Sequence, residues 1–204
     1  AEMPGMNPDG DFDLAGFAVG AMERGGALPA GVAEGDILLG LASDGVHSNG
    51  YSLVRRVVER TGLAWDDPAP FANDRLAEAL LRPTRLYVAP VLSAQRLGGL
   101  HAMAHVTGGG ITENLPRVLP KSLGAEVNLS AWTLSPVFGW LREEGGISDA
   151  ELLKTFNCGV GMILVVAPEA AVRIEASLAE AGETVFAIGQ VVVGEGVSYT
   201  GTLG

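Results

Sequence analysis

The chain has 204 residues, of which 48% are hydrophobic and 18% are charged, and its formal net charge is −11. This length and composition indicate one large globular domain or two small ones, and they exclude an intrinsically disordered protein. The negative charge disfavours a nucleic-acid partner, because an acidic protein is repelled by a phosphate backbone unless its cations are clustered. The densest basic spot is only the pair Arg55 and Arg56, so we predict no nucleic-acid partner.

The cysteine content and the apolar stretches bear on the compartment. Cys158 is the single cysteine, which excludes an internal disulfide and makes a reducing cytoplasm the default. The longest apolar stretches, such as GVGMILVVA, are too short to span a membrane, and no signal peptide is visible. We therefore predict a cytoplasmic protein with no membrane partner. The chain begins with AEMPGM, which we interpret as a cut inside a longer protein, with a processed natural N-terminus as the alternative.

The first half of the chain alternates short apolar runs with glycine and proline. Apolar runs and helical spacing predict, in chain order, a strand at residues 12–22, a strand at Ile37–Ala42, and helices at residues 49–61, 73–81 and Thr84–Leu97. Asn49 is predicted to cap the first helix and Gly62 to end it. Pro90 is expected to kink or split the third helix, because proline cannot donate a backbone hydrogen bond.

The second half continues with single strands and with single and paired helices. The patterns predict, in chain order, a strand at His101–Val106, a short helix at ITENLPRVL, helices at residues 135–144 and 148–155, a strand at Gly159–Val166, a helix at residues 168–181, and a closing pair of strands at Phe186–Val193 and Val197–Leu203. This order predicts an α/β or α+β layered domain with a mixed sheet.

Three stretches share one design, in which an apolar strand, a loop of Gly, Asn, Ser or Thr and a further element follow one another. They are Ser43–Ser52, Thr107–Asn114 and Thr155–Gly161, named here the first, second and third loops. Glycine lets the backbone approach a ligand closely, and free N–H groups at the start of a helix favour an anion. The first two loops are therefore candidate cradles for phosphate or carboxylate, although each taken alone could be an ordinary turn.

The first loop contains GVHSNGYS, which has the spacing of a phosphate-binding P-loop, G-x-x-x-x-G-K-[ST], with one difference. Tyr51 stands where the lysine that reaches the β- and γ-phosphates would be, so a working P-loop is not predicted. The loop instead offers His47, Ser48 and Asn49. His47 could act as a general acid or base or donate a hydrogen bond to an oxyanion, or it could be a satisfied turn residue.

The second loop contains VTGGGITEN, with three consecutive glycines, Gly108, Gly109 and Gly110. Such a triplet is costly in chain entropy unless the backbone needs it. Glu113 and Asn114 follow in the first turn of the predicted helix. The carboxylate of Glu113 could bind a substrate amine or a Mg²⁺ ion, or it could simply favour the helix dipole.

The remaining candidates are weaker. His101 and His105 lie on one strand at a separation of about 13 Å, which is too far for one metal ion, and no third ligand has metal spacing. Cys158 precedes a glycine and an apolar run, which favours a small packing residue over a reactive thiol. Neither G-x-S-x-G nor G-x-G-x-x-G occurs, so hydrolase and dinucleotide-binding interpretations lack support.

Several stretches together resemble one family, aminoimidazole ribonucleotide synthetase, the phosphoribosylformylglycinamidine cyclo-ligase of purine biosynthesis. They are AEMPGM, DGVHSNGYSLVRRVVE, LRPTRLYV, HAMAHVTGGGITENLPRVLP and TFNCGVGMILVV. The stretches run in the family's order and span nearly the whole chain. The combination of HSNGYSLVR with TGGG-x-x-EN-x-PR-x-LP makes the resemblance specific.

The resemblance covers only the C-terminal half of the family's protein. In the family a second, N-terminal domain precedes AEMPGM, carries most of the ATP and Mg²⁺ site and forms the dimer barrel. The resemblance thus implies that residues 1–10 are a remnant of the interdomain segment and that residues 11–204 are the C-terminal domain. The implied fold is α+β, a three-layer domain with a mixed β-sheet packed by helices, and no metal ligand is predicted within this half.

The resemblance also implies a reaction. ATP phosphorylates the formyl oxygen of formylglycinamidine ribonucleotide to give an iminophosphate. The amidine nitrogen then closes the imidazole ring, and ADP and phosphate leave. The implied cofactors are ATP and Mg²⁺, mainly through the absent domain, and the implied partners are this ribonucleotide and a second copy of the full-length enzyme.

The family's motifs assign residues in this chain. The implied catalytic residues are His47 and Asn49 of the HSNG motif and Glu113 of the EN pair. Residues implied to bind substrate or phosphate are Ser48, Arg85, Gly108, Gly109, Gly110, Asn114, Asn157 and Gly159. For Arg85 a surface position on a helix is an equal alternative, and for Asn157 and Gly159 we expect site geometry more than chemistry.

Two other functions remain open from the sequence. Sister families with the same fold carry out similar ATP chemistry on other substrates: formylglycinamidine synthetase, selenophosphate synthetase, thiamine monophosphate kinase and a hydrogenase maturation factor. A fragment without its N-terminal domain could also bind a phosphate ligand without catalysis, and we expect this chain to be inactive alone.

Overall fold

The computed structural model describes residues 16–204, which build one mixed six-stranded sheet with helices on both faces. The strands are β1 (Ile37–Ala42), β2 (Leu100–His105), β3 (Leu123–Asn128), β4 (Val160–Val166), β5 (Val185–Val193) and β6 (Val197–Thr200). The α-helices are α1 (Tyr51–Thr61), α2 (Leu76–Leu80), α3 (Val88–Arg96), α4 (Gly110–Asn114), α5 (Pro136–Gly145), α6 (Asp149–Thr155) and α7 (Pro168–Glu180). Two short 3₁₀ helices span Leu115–Val118 and Leu129–Ala131.

The two faces of the sheet bury different apolar clusters, because successive side chains of a strand point to opposite faces. Leu38 belongs to the larger cluster with residues of α1, α2, α4, α5 and α6. Its neighbour Leu39 belongs to the smaller cluster with residues of α3 and α7. The result is a helix–sheet–helix arrangement, which confirms the predicted three-layer α+β fold.

The strand order in the sheet is β2-β4-β1-β5-β3-β6. Strand pairs are antiparallel except β3 with β6, which is parallel. The predicted closing pair of strands is therefore wrong as a pair, because β3 lies between β5 and β6. Strand β3 itself was not predicted, since LGAEVN offers only a short run with glycine and glutamate interrupting its apolar residues.

The other predicted strands and helices are confirmed, with shorter ends in several cases. Helix α1 ends at Gly62, which takes the left-handed conformation with φ 71°, as predicted. The predicted helix over Thr84–Leu97 begins only at Val88, so Pro90 lies in the first turn and the helix is neither kinked nor split. A proline is tolerated there because the first N–H groups of a helix have no partner within it.

Two predictions near the start of the chain are wrong. Residues 16–22 of the predicted strand 12–22 form no strand, and Phe17 is 94% exposed; residues 12–15 lie outside the described residues. Residues 16–22 pair with none of the strands in the described part of the chain. Asn49 does not cap α1: the cap is Gly50, with φ 70° and no side-chain hydrogen bond. Within residues 16–204 no helix is both long and apolar enough to cross a membrane.

Candidate functional site

The three loops meet at one end of the sheet. Strands β1 and β2 both run antiparallel to β4, so the C-terminal ends of β1 and β2 lie where β4 begins. The first loop follows β1, the second follows β2, and the third leads into β4. Backbone hydrogen bonds join them: Ser43 N–H donates to Gly159 O at 2.9 Å, and Val106 N–H donates to Gly161 O at 2.9 Å.

His47 lies beneath the surface of the first loop, with only 2% of its area exposed. Its Nε2 accepts hydrogen bonds from the backbone N–H groups of Asp44, at 3.1 Å, and Arg85, at 3.4 Å. A ring nitrogen that accepts must carry a lone pair, so the ring is neutral and its proton sits on Nδ1. Burial lowers the pKa of His47, and the charge of Asp44 opposes this in part. Its Nδ1 has no hydrogen-bond partner among residues 16–204.

The two residues after His47 face outward. Ser48 is exposed and Asn49 is half-buried. A Cβ atom placed on Gly108 would lie 4.0 Å from Asn49 Oδ1, so the amide of Asn49 stands directly across from the glycine triplet. The first and second loops therefore form two sides of one surface.

The glycine triplet packs its last residue against helix α6. Gly110 has φ 58°, and a Cβ on it would lie 1.9 Å from Leu153 O. No other residue fits there without moving the backbone. Glu113 covers Gly109 from the solvent side, since a Cβ on Gly109 would lie 2.7 Å from Glu113 Oε2. The Glu113 side chain is 47% exposed, and its nearest cation is Arg117 at 3.9 Å, so the carboxylate is open to a ligand.

Asn114 is buried and binds the backbone of its own loop. Its Nδ2 lies 2.8 Å from Gly110 O, 3.1 Å from Gly108 O and 3.3 Å from Thr107 O. Its Oδ1 accepts from Thr107 Oγ1 and from Arg117 Nη1, each at 3.2 Å. A carboxamide has two N–H donors and two lone pairs on its oxygen, so Asn114 has no group left for a substrate or a metal ion.

Asn157 ties the third loop to the first and is fully buried. Its Oδ1 accepts from Ser43 Oγ at 2.8 Å and from Gly159 N–H at 2.9 Å, and its Nδ2 donates to Gly45 O at 2.9 Å. These hydrogen bonds are consistent with the prediction that Asn157 and Gly159 contribute geometry more than chemistry. The adjacent Cys158 is buried, and burial raises the pKa of its thiol to about 12, which confirms a packing residue over a reactive thiol.

Arg85 lies in the extended segment before α3, so its alternative placement on a helix is wrong. Its guanidinium binds Asp44 Oδ1 at 2.8 Å and Glu183 Oε2 at 2.9 Å, and Nη2 lies 3.3 Å from Gly182 O. Burial lowers the pKa of Arg85, but these two carboxylates outweigh it and raise the pKa overall. The guanidinium is thus already paired with two anions.

Residues 33–201 match the family model described as AIR synthase related protein, C-terminal domain. The chain belongs to this family. The match covers more than half of the chain, including the three loops and the whole sheet.

Solved structures with the fold of this AIR synthase-related domain come from proteins with different names. Thiamine-monophosphate kinase from Stenotrophomonas maltophilia K279a is 20% identical with a TM-score of 0.63, covering 90% of this chain and 56% of that chain. The protein tt0281 from Thermus thermophilus is 27% identical with a TM-score of 0.55, covering 84% and 51%. The hydrogenase maturation protein HypE from E. coli is 22% identical with a TM-score of 0.56, covering 82% and 47%. The chain spans about half the length of these structures.

The described part of this AIR synthase-related domain holds no preformed metal site built from protein side chains alone. Residues 16–204 contain no group of three or more His, Cys, Asp or Glu side chains that could hold a metal. His101 pairs with Asp36 at 2.7 Å. This pair lies where β1 and β2 begin, at the end of the sheet opposite to the three loops. We therefore derive no step through a metal ion.

A cleft of about 190 Å³ lies beside the first loop and is lined by Ser43, Asp44, Arg82 and Ser135, among others. Sites for drug-sized ligands typically measure about 300–1,000 Å³. The cleft in this AIR synthase-related domain can therefore enclose only part of a nucleotide-sized ligand.

The structure brings together nearly all the residues that the motifs assigned to the site. Ser48, Asn49, Gly108, Gly109 and Glu113 share one surface. Gly110, His47, Asn114 and Asn157 lie beneath it. The residues not predicted from the sequence are Asp44 and Glu183, which hold Arg85. A hint was available for Asp44, which directly precedes GVHSNG; Glu183 lies far along the chain and carries no such signal.

Proposed function

We propose that this chain is the C-terminal half of an aminoimidazole ribonucleotide synthetase, the ATP-dependent phosphoribosylformylglycinamidine cyclo-ligase. The observation that carries the proposal is the meeting of three glycine-rich loops at one end of the sheet in a domain of the AIR synthase-related family. The motifs in those loops resemble this enzyme's, and the family relationship supports ATP-dependent chemistry in general.

In the proposed reaction the formyl oxygen of formylglycinamidine ribonucleotide attacks the γ-phosphorus of ATP, and ADP leaves. The carbon of the resulting iminophosphate is then attacked by the amidine nitrogen. That nitrogen loses a proton, the carbon–oxygen bond to phosphate breaks, and the imidazole ring closes with release of inorganic phosphate. The enzyme must bind the ribose 5′-phosphate, stabilise charge on the iminophosphate, and accept the amidine proton.

The accessible groups suit these tasks. The N–H groups of Gly108 and Gly109 have no acceptor among residues 16–204 and suit phosphate oxygens. Glu113 carries an open carboxylate beside them and is our candidate for the amidine proton, because a carboxylate can act as a general base. Ser48 and Asn49 supply hydrogen bonds from the facing loop. His47 touches no open surface, so we place its contribution in holding the first loop.

Mg²⁺, most of the ATP site and the homodimer contact remain assigned to an N-terminal domain on the same resemblance. A second candidate is a phosphate-transferring kinase, because thiamine-monophosphate kinase from S. maltophilia shares the fold with a TM-score of 0.63. A third is a non-catalytic fragment that binds a phosphate ligand. The substrate that is turned over distinguishes the cyclo-ligase from the kinase. Any ATP-dependent turnover distinguishes both enzymes from a fragment that only binds a phosphate ligand.

The test is steady-state kinetics of the longer enzyme that contains this chain, with formylglycinamidine ribonucleotide and ATP. Glu113→Ala and His47→Ala are each expected to lower kcat tenfold or more. Glu144→Ala, an exposed glutamate on α5, is the matched control and should leave kcat unchanged. Near-normal turnover in Glu113→Ala would remove that residue from the mechanism. Absence of ring closure by the unsubstituted enzyme would refute the proposed function.

A further inference from the structure

The buried carboxamide of Asn114 has a use that its position in the EN motif does not suggest. We propose that Asn114 is a positioning residue, which fixes the direction of the peptide N–H groups in the glycine triplet and touches no ligand itself. The proposal rests on the proposed function for what those N–H groups bind, but its geometric part stands on the hydrogen bonds alone.

The hydrogen bonds of Asn114 exclude a direct role. Its two N–H donors are shared among three carbonyl oxygens, those of Thr107, Gly108 and Gly110. Its oxygen already accepts from the Thr107 hydroxyl and from Arg117. Only 6% of the residue is exposed. Because leaving a buried polar atom unpaired is costly, releasing one of these bonds to reach a ligand would weaken the loop.

The direction of the peptide N–H groups follows from the planarity of the backbone. In a trans peptide the N–H of one residue points opposite to the C=O of the residue before it. The carbonyls of Thr107 and Gly108 point toward Asn114, so the N–H groups of Gly108 and Gly109 point away from it. Neither N–H has an acceptor in the described part of the chain, and Gly108 is exposed. Two adjacent donors therefore face outward beside Glu113.

The triplet cannot hold this arrangement without help. Glycine reaches more backbone conformations than any other residue and loses the most entropy when it is ordered. Gly109 and Gly110 both take positive φ, at 97° and 58°, and neither carries a side chain that could anchor it. The loop has backbone hydrogen bonds from Gly110 N–H to Thr107 O at 3.0 Å and from Glu113 N–H to Gly109 O at 3.1 Å. The carboxamide of Asn114 adds a side-chain anchor that reaches three peptide groups from one point. Preorganised donors bind an anion better because no ordering cost remains at the moment of binding.

The test uses the ¹⁵N-labelled chain and inorganic phosphate as the probe. Asn114→Asp keeps the shape of the side chain but removes both donors and sets a carboxylate against three carbonyl oxygens. Asn128→Asp is the matched control, because Asn128 accepts a hydrogen bond from Ser130 N–H at 3.0 Å and aspartate can accept it as well. The amide signals of Gly108 and Gly109 are followed for chemical shift, hydrogen exchange and response to phosphate.

We expect phosphate to shift both glycine signals in the unsubstituted chain and in Asn128→Asp. In Asn114→Asp we expect phosphate affinity at least tenfold weaker and faster hydrogen exchange confined to the second loop. Unchanged glycine shifts, exchange and phosphate affinity in Asn114→Asp would overturn the proposal. A purely structural role would lower the melting temperature without changing phosphate affinity of the folded protein, and that result would overturn it too.

Two other results, an unfolded Asn114→Asp variant and an absence of phosphate binding, also lead to a decision. If Asn114→Asp does not fold, the double variant Thr107→Val with Arg117→Ala decides, since it frees Oδ1 while keeping the amide donors. We expect at least threefold weaker phosphate binding from it, and no change would reject the positioning role. If phosphate shifts neither glycine in the unsubstituted chain, the phosphate site of the proposed function fails, while hydrogen exchange in Asn114→Asp still decides whether Asn114 directs the loop.

Discussion

Arg85 joins three separate parts of the chain through one guanidinium group. It binds Asp44 of the first loop and, in the turn after α7, Glu183 and the carbonyl of Gly182. The Glu183 side chain is only 5% exposed, so its carboxylate depends on Arg85 for a charged partner. Leaving a buried charge unpaired costs more than the pair gained by forming. Arg85 therefore serves the fold even if a phosphate also approaches it.

We predict that Arg85→Ala lowers the free energy of unfolding by about 2 kcal/mol, because hydrogen bonds to charged groups are worth about 1.5–3 kcal/mol. Arg75→Ala is the control, since Arg75 and its partner Asp66 are mostly exposed, and such pairs contribute about 1 kcal/mol or less. Urea denaturation of both variants measures the difference. Equal stability of Arg85→Ala and the unsubstituted protein would show that Arg85 has no role in holding the fold.

Helices α4 and α6 approach each other most closely at Gly110, beside a hydrogen bond from Thr112 Oγ1 to Leu153 O at 3.4 Å. A Cβ on Gly110 would lie 1.9 Å from Leu153 O and 2.9 Å from Phe156 O. Leu153 lies in the last turn of α6, and Phe156 is the residue that follows the helix. The obstacle is backbone rather than a flexible side chain, so it cannot rotate away. This contact sets how closely the second and third loops stand.

We predict that Gly110→Ala destabilises the protein by about 2 kcal/mol or more, as overpacking in a tight site does, with added strain from its positive φ. Gly139→Ala is the opposite case, because no atom lies within 4 Å of the new Cβ and Gly139 sits inside helix α5. Alanine is favoured over glycine there by about 0.5–1 kcal/mol. The melting temperature should therefore fall in Gly110→Ala and rise in Gly139→Ala, as measured by thermal unfolding. A neutral Gly110→Ala would mean that the close approach to α6 is not required.

At the scale of the whole molecule, the antiparallel neighbours of β4 bring the loops together. Each loop read separately is ambiguous between a ligand cradle and a turn. Three such loops at one end of a sheet, tied by Asn157 and by backbone hydrogen bonds, are a shared surface. The cleft beside the first loop measures about 190 Å³, and relatives with this fold are about twice as long.

We predict that residues 1–204 alone release negligible ADP in the presence of ATP and formylglycinamidine ribonucleotide. The reason is that the described residues include no group of three or more side chains that could hold a metal ion, and the cleft beside the first loop, at about 190 Å³, is too small to enclose a whole nucleotide. A coupled ADP assay on the isolated chain, beside the longer enzyme as the positive control, measures this. Substrate-dependent ADP release from the chain at a rate comparable to that of the longer enzyme would contradict the prediction.

Sequence patterns predicted most of the elements because local rules govern them. The apolar run ILLGLA forms β1. Val54, Val57 and Val58, which have helical spacing, form the buried face of α1. The rules failed where a distant partner decides the outcome. Residues 16–22, which include Phe17, pair with no strand among residues 16–204, whereas LGAEVN forms β3 because β5 and β6 flank it. A cap at Asn49 was plausible locally, but Gly50 takes that place, where any Cβ would collide with the ring of Phe156.

The sequence patterns were sufficient to predict a layered domain with a mixed sheet and to select the three loops, because these depend on residue type and spacing along the chain. The choice of α+β over α/β came from the family resemblance that the ordered motifs carry. Only the tertiary structure assigned a place to each side chain. It put His47 under the surface, turned Asn114 toward its own backbone and paired Arg85 with two carboxylates. His47 and Arg85 find hydrogen-bond partners in segments far apart in the chain, and Asn114 reaches the backbone of its own loop only in the folded shape of that loop. A motif does not specify which of its polar groups remain free.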